Sequence, residues 1–261
     1  MNIRLDGLQA LVGGGNQGIG HATAVEMAQL GANVTLLARD RAKLEQALAT
    51  LDISQGQKHQ VLVADMADTA ALQAAITGHM ARNKVDILVN NTGGPPPGSA
   101  HEAAVEDYAA AFRLHLLAFQ TMVLAVVPGM KQRKQGRIIN VISTSVKVPL
   151  PNLGVSNTVR GAVAQWGKTL ANELGPYNIT VNNVLPGATA TSRLEAIITN
   201  KGRKEGASER AVAGEMMQEI PLRRFAQPDE TAAAICFLAG PSAAYITGVN
   251  LPVDGGRTGA L

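Results

Sequence analysis

Along the chain, short runs of β-branched and aliphatic residues recur between longer stretches whose apolar residues return every three or four positions. The short runs cover residues 8–12, 34–38, 60–64, 85–90, 137–142, 180–185 and 248–253, and predict seven strands. The stretches between them, such as "HATAVEMAQLG" and "RAKLEQALATL", carry helical spacing, and the first ends at Gly31, a residue suited to a helix C-terminus. Strands alternating with helices predict a doubly wound parallel sheet covered on both faces. No linker, repeat or charge block divides the chain, so one domain over residues 1–261 is expected. Residues 192–219 are polar and charged with few strand signals, which predicts a helical excursion over the site rather than part of the sheet.

Composition narrows the partners. Apolar residues make up 46% of the 261 and aromatics 3%, so the core must be aliphatic and a stacking platform for single-stranded nucleic acid is excluded. A net charge of +3 is mild, and the one basic cluster, Lys131, Arg133, Lys134 and Arg137, is expected to solvate a helix end rather than grip phosphates. Cys236 stands alone in "AAAICFLAG", which rules out a disulfide within a monomer and suits a buried thiol in a reducing compartment. The opening "MNIRLDGLQALVGGG" has only a five-residue apolar run, too short for a signal peptide or a membrane span, so a cytoplasmic protein with no membrane partner is expected. His21, His59, His79 and His101 have no metal-ligand spacing, and no metal is expected.

The chemistry begins at "LQALVGGGNQGIGHATAVEMAQLGA", which runs from an apolar strand through Gly13, Gly14, Gly15, Gly18 and Gly20 into a helix. Glycines there let the backbone approach a pyrophosphate, while the helix N-terminus favours its charge; the alternative is a merely flexible turn. The context of strand, glycines, helix and second strand is that of a Rossmann-like dinucleotide fold. The second strand ends with the neutral Ala38 followed by Arg39, where an acid would bind a ribose diol. A guanidinium suits a 2'-phosphate, which favours NADP(H) over NAD(H), unless Arg39 pairs with a helix acid such as Asp40.

These residues together make the chain resemble the short-chain dehydrogenase/reductase family, in the branch similar to 3-oxoacyl-acyl carrier protein reductases. "GGGNQGIG" matches the family's Thr-Gly-x-x-x-Gly-x-Gly loop with Gly13 at the threonine, "NNTGG" matches Asn-Asn-Ala-Gly, and "VNNVLPG" and "ITGVNLPVDGG" match later landmarks. The resemblance implies cofactor contacts at Gly14, Asn16, Gln17, Gly18, Ile19, Gly20, Arg39, Asp65, Met66, Asn91, Gly93, Arg160, Pro186, Gly187 and Thr191. Asp65 read alone serves equally well as a helix cap.

The family's chemistry rests on an Asn, a Ser, a Tyr and a Lys. The resemblance puts the serine on Ser143, while His115 stands at the Asn, Ser156 at the Tyr and Arg160 at the Lys. A slipped register does not restore them: Val155, Val159, Ala162, Val163, Trp166, Leu170 and Leu174 form one apolar helical stripe that fixes the helix, and Lys168 lies two turns too far. Tyr108, Tyr177 and Tyr245 fall elsewhere. A serine hydroxyl is too weak an acid to replace the phenol, and arginine holds charge without relaying protons. His115 is the candidate replacement acid because imidazole titrates near neutral pH; the alternative is a histidine bonded to a backbone carbonyl at a helix distortion. Lys147 is a second candidate proton source.

The sequence thus predicts an NADP(H)-dependent oxidoreductase of a small carbonyl or alcohol, with Ser143, Ser156, Arg160 and His115 in the catalytic roles. The alternative is a catalytically weak or inactive dinucleotide-binding protein serving as a sensor or assembly partner. Helices apolar over more than one stripe, together with the resemblance, imply a homodimer or homotetramer.

Overall fold

In the computed structural model, which describes residues 1–260, all seven expected strands form. They are β1 (Gln9–Gly13), β2 (Asn33–Ala38), β3 (Gln60–Val63), β4 (Ile87–Asn90), β5 (Gly136–Val141), β6 (Ile179–Pro186) and β7 (Asn250–Val253). The sheet is parallel throughout, in the order β3-β2-β1-β4-β5-β6-β7. The helices between them are α1 (Gly18–Gln29), α2 (Arg41–Leu48), α3 (Thr69–Met80), α4 (Val105–Phe112), α5 (Ala118–Arg133), α6 (Gly154–Leu174), α7 (Ser192–Glu205), α8 (Glu209–Gln218) and α9 (Pro228–Ala239).

Strand periodicity sorts the core into two layers. Leu11 and Leu88 face one side, packed with Leu72 and Ile76 of α3, Phe119 and Met122 of α5, and Val163 of α6. Val12, Ile87 and Val89 face the other, packed with Met27 of α1, Leu44 of α2 and Ile235 and Cys236 of α9. Chain order reverses between β1 and β4, and open α/β sheets bind their ligands beyond the strand C-termini at such a reversal.

An amide ladder, buried at Asn90, Asn140 and Asn183 and ending at the exposed Asn250, ties the right half of the sheet together just below that end. Asn90 donates to Asn140, Asn140 to Asn183, and Asn183 to Asn250, each at 2.8 Å. The four are cross-strand partners in register on β4, β5, β6 and β7. Breaking one link leaves a buried amide unpaired, at about 1–3 kcal/mol. Gly167 lets α6 settle on the ladder, since a Cβ there would stand 2.7 Å from Asn183 Oδ1 and 2.9 Å from Asn140 Nδ2.

The continuous helical run Val105–Arg133 has the length and apolar content to cross a membrane, judged by those measures alone. Here Phe119, Met122, Val126 and Met130 of that run are fully buried against the sheet, so it is a core helix of this fold. Its basic end is built in: Arg133 donates to the Val85 carbonyl at 2.7 Å and pairs with the buried Asp86 at 3.3 Å, while Lys131 lies 4.5 Å over the Tyr177 ring.

Candidate active site

Beyond the C-terminal ends of β1 and β4 opens a cleft of about 790 Å³. Its floor is the glycine loop. Gly14 and Gly18 hold φ of +59° and +55°, a left-handed backbone that side chains rarely adopt. Asn91 Nδ2 donates to the Gly13 carbonyl at 3.0 Å, which pins the loop to the end of β4. A Cβ on Gly14 would stand 2.7 Å from that amide nitrogen, and one on Gly13, where the family has its threonine, 2.8 Å from the Asn91 backbone oxygen, so a side chain there would require the backbone to shift. The first turn of α1 has no side-chain cap and no acid, leaving its amides for an anion in the cleft. Bare backbone beside an uncapped helix start fits the diphosphate of a dinucleotide.

Of the expected cofactor contacts, Gly14, Asn16, Gln17, Gly18, Ile19, Arg39, Asp65, Met66, Asn91, Gly93, Arg160, Pro186, Gly187 and Thr191 all border the cleft. Gly20 is buried beneath it, at the seam between loop and helix. The alternative partner for Arg39 is already engaged: Asp40 accepts from the Lys43 amide at 3.1 Å as the cap of α2 and lies 3.9 Å from Lys43 Nζ. Among the described residues Arg39 makes no ion pair. Asp65 accepts from the Ala67 amide at 2.9 Å, and the cap of α3 is Asp68 instead.

Ser143, Ser156 and Arg160 also border the cleft. Ser143 follows β5, and its Oγ accepts from the Ser145 amide at 3.1 Å. Ser156 and Arg160 are one turn apart on α6 and therefore share a face. Arg160 is 6% exposed, donates from Nη1 to the Val141 carbonyl at 3.0 Å, and leaves Nε without a partner. Burial pushes its pKa down to about 10, with the nearby Arg193 guanidinium adding to the effect, so it stays charged at neutral pH. Arg193 also borders the cleft, and the sequence reading missed it. The signal was an unmatched cation two residues after Thr191 in "TSRLE".

The surroundings of His115 do not suit the acid role that its position suggested. It lies in a π-turn, Arg113–Leu117, between α4 and α5; Leu114 borders the cleft and His115 does not. The imidazole is fully buried, edge-on to Phe119, and neither ring nitrogen has a hydrogen-bond partner. The helix distortion is present, but the carbonyl bond is absent. Burial, then the charges of Arg160 and Arg193, hold its pKa at about 2, so no imidazolium exists there near neutral pH. The unfolded chain binds a proton at this residue below about pH 6.5 that the native state refuses until about pH 2. Each pH unit in that window should cost the native state about 1.4 kcal/mol, and His79, lowered by burial too, adds in the same direction. His115→Leu should therefore show a shallower loss of stability between pH 6 and pH 4, read from urea unfolding midpoints.

Among the described residues no tyrosine borders the cleft. Tyr108 donates to the Ala100 carbonyl, Tyr177 sits under Lys131, and Tyr245 is fully exposed. Lys147 and Lys168 also lie off the cleft wall.

Comparison with known proteins agrees with this geometry. A family model described as Enoyl-(Acyl carrier protein) reductase matches residues 14–258. An uncharacterized oxidoreductase of Mycobacterium tuberculosis is 33% identical over 98% of this chain and 94% of its own. The NADPH-dependent reductase BacG of Bacillus subtilis is 30% identical over 95% of this chain and 96% of its own. The crystal structure of L-sorbose reductase from Gluconobacter frateurii, complexed with NADPH and L-sorbose, superposes with a TM-score of 0.93 at 30% identity, covering both chains completely. The glycine cradle at the sheet reversal, the match over nearly the whole chain and these full-length relatives give one conclusion: the protein belongs to the short-chain dehydrogenase/reductase family.

Proposed function

We propose that this chain is an NADP(H)-dependent oxidoreductase of a small carbonyl or alcohol that works with Ser143, Ser156 and Arg160 and without the usual tyrosine and lysine. The observation that carries the cofactor choice is Arg39, without an ion pair among the described residues, at the end of β2 beside the neutral Ala38 and bordering the same cleft as the glycine cradle. Relatives named for NADPH support the same choice. Gly14, Gly18 and the start of α1 hold the diphosphate, and Pro186, Gly187 and Thr191 the nicotinamide end. When bound, the reduced nicotinamide supplies hydride.

The chain's own residues do the rest. Ser143 and Ser156 donate hydrogen bonds to the substrate oxygen, and Arg160 offers a fixed positive charge toward the negative charge that develops there. Neither hydroxyl is acidic enough to give up its proton outright, so water entering the cleft completes the alcohol. Loss of a general acid slows such a reaction by about 10² to 10⁴ without forbidding it. The whole chain acts as one domain, with α7 and α8 covering the cleft from Ser192 to Glu219. It assembles as a homodimer or homotetramer through the outer side of the 105–133 run, where Val105, Leu117 and Leu124 are exposed; the mass from light scattering checks this.

The test of activity is a panel of carbonyl and alcohol substrates followed through the absorbance of reduced nicotinamide. More than one turnover per chain supports the enzyme; a stoichiometric end point with every substrate supports the binding protein. The test of cofactor choice is Arg39→Asp, which removes a charge-assisted contact and adds a repulsion. It should weaken NADPH by about 10²-fold and leave NADH within a few-fold of its starting affinity.

A further inference from the structure

Arg160 and Arg193 bring two guanidinium groups to one point of the cleft wall. Both come near Gly94: a Cβ placed there would stand 3.4 Å from Arg193 Nη2 and 3.7 Å from Arg160 Nη2. Two cations so close repel each other, and the usual solution is a carboxylate between them. Among the described residues none pairs with either. Among the described residues Arg160 has only the Val141 carbonyl for a partner, and its buried Nε has none. Arg193 donates to the Pro95 carbonyl.

The acids of the cleft are engaged elsewhere. Glu205 lies 4.0 Å from Lys201, Glu219 pairs with Arg257, Asp40 caps α2 and Asp65 holds the Ala67 amide. No acid bordering the cleft pairs with Arg160 or Arg193, so a ligand can supply the counter-charge. The location also says which part of the cleft it enters. Pro95 belongs to the loop whose Gly98 bridges Leu153, three residues before Ser156, so Arg193 is tied to the wall that carries Ser156 and Arg160.

We propose that the substrate carries a carboxylate, received by Arg193 and Arg160 beside the two serine hydroxyls. This rests on the oxidoreductase reading and narrows it to oxo or hydroxy acids. Burial depresses both guanidinium pKa values, the charge of Arg193 adds to the effect at Arg160, and a bound anion relieves that repulsion. The carboxylate also orients the substrate, placing its reacting oxygen by a bidentate clamp rather than by shape.

The competing source of negative charge is the cofactor's own diphosphate, and calorimetry separates the two. The full-length protein saturated with NADP is titrated with malonate and with its neutral counterpart malonamide at matched ionic strength. Malonate should bind, malonamide should bind at least about tenfold more weakly, and Arg193→Gln should weaken malonate by at least about tenfold while NADPH affinity moves less than about threefold. Arg193→Lys, which keeps the charge, should recover part of the malonate affinity and guards against a folding defect. No malonate binding, unchanged binding in R193Q, or a loss of NADPH as large as the loss of malonate would each overturn the proposal. Failure of wild-type protein to bind NADPH would strike the dinucleotide reading alone. Malonate binding by the cofactor-free chain, lost in R193Q, would still support the anion site.

Discussion

Converting Ser156 to tyrosine and Arg160 to lysine together should raise kcat for NADPH-linked carbonyl reduction by about 10² to 10⁴. Ser156 borders the cleft one turn before Arg160, so a phenol introduced there faces the same space. A tyrosine hydroxyl titrates near 10 when unperturbed, and a cation one turn away lowers that value toward the working pH. In the proposed mechanism the serine offers a hydrogen bond without the acidity. The double substitution should also give the rate a pH dependence on the alkaline side, as the new acid deprotonates, where the parent protein shows none from residue 156. An unchanged kcat, with NADPH affinity and far-ultraviolet dichroism intact, would mean that another group already delivers the proton.

Gly20→Ala should lower NADPH affinity by at least about 10²-fold, about 2.7 kcal/mol or more, while leaving the sheet folded. The added methyl would overlap the Gly14 carbonyl oxygen and stand 2.8 Å from Asn91 Nδ2. Neither neighbour gives way cheaply, because one is backbone at a left-handed glycine and the other is tethered to Gly13. The loop has to shift, and with it the amides proposed to receive the diphosphate. Gly161→Ala on α6 is the matched control: a Cβ there meets nothing within 4 Å, so the change should keep affinity and add about 0.5–1 kcal/mol of stability. Titration of both variants with NADPH, with unfolding curves alongside, reads the contrast.

The strands were legible because their periodicity and punctuation are local. Their ends were less so, and the causes are tertiary. Strand β4 begins at Ile87 rather than residue 85: the Asp86 backbone already bonds to Gln9 and Arg137 on the flanking strands, while the Val85 carbonyl is taken by the Arg133 side chain. Strand β7 begins at Asn250 because Gly248 turns at φ +75° and the Val249 amide donates to the Asn182 side chain. Along α6, Val155, Val159 and Val163 are buried as the stripe predicts, but Ala162 is half-exposed because the buried face swings toward Arg160, Ala164 and Gly167. The glycine loop was legible as a motif, and its neighbours Arg39, Asp65 and Thr191 reach the cleft with it. Two features were not. His115 sits in a π-turn that removes it from the cleft, and no local pattern announces that turn. Arg193 meets Arg160 only because β6 and β5 are adjacent and α7 folds back over the strand ends, a pairing between residues 33 apart.

The most direct test is a calorimetric titration of the full-length protein with NADPH and, separately, with NADH. Saturable binding of NADPH, tighter than NADH by at least about tenfold through the Arg39 contact, is the predicted result. No heat from either dinucleotide at millimolar concentration would contradict the account at its base.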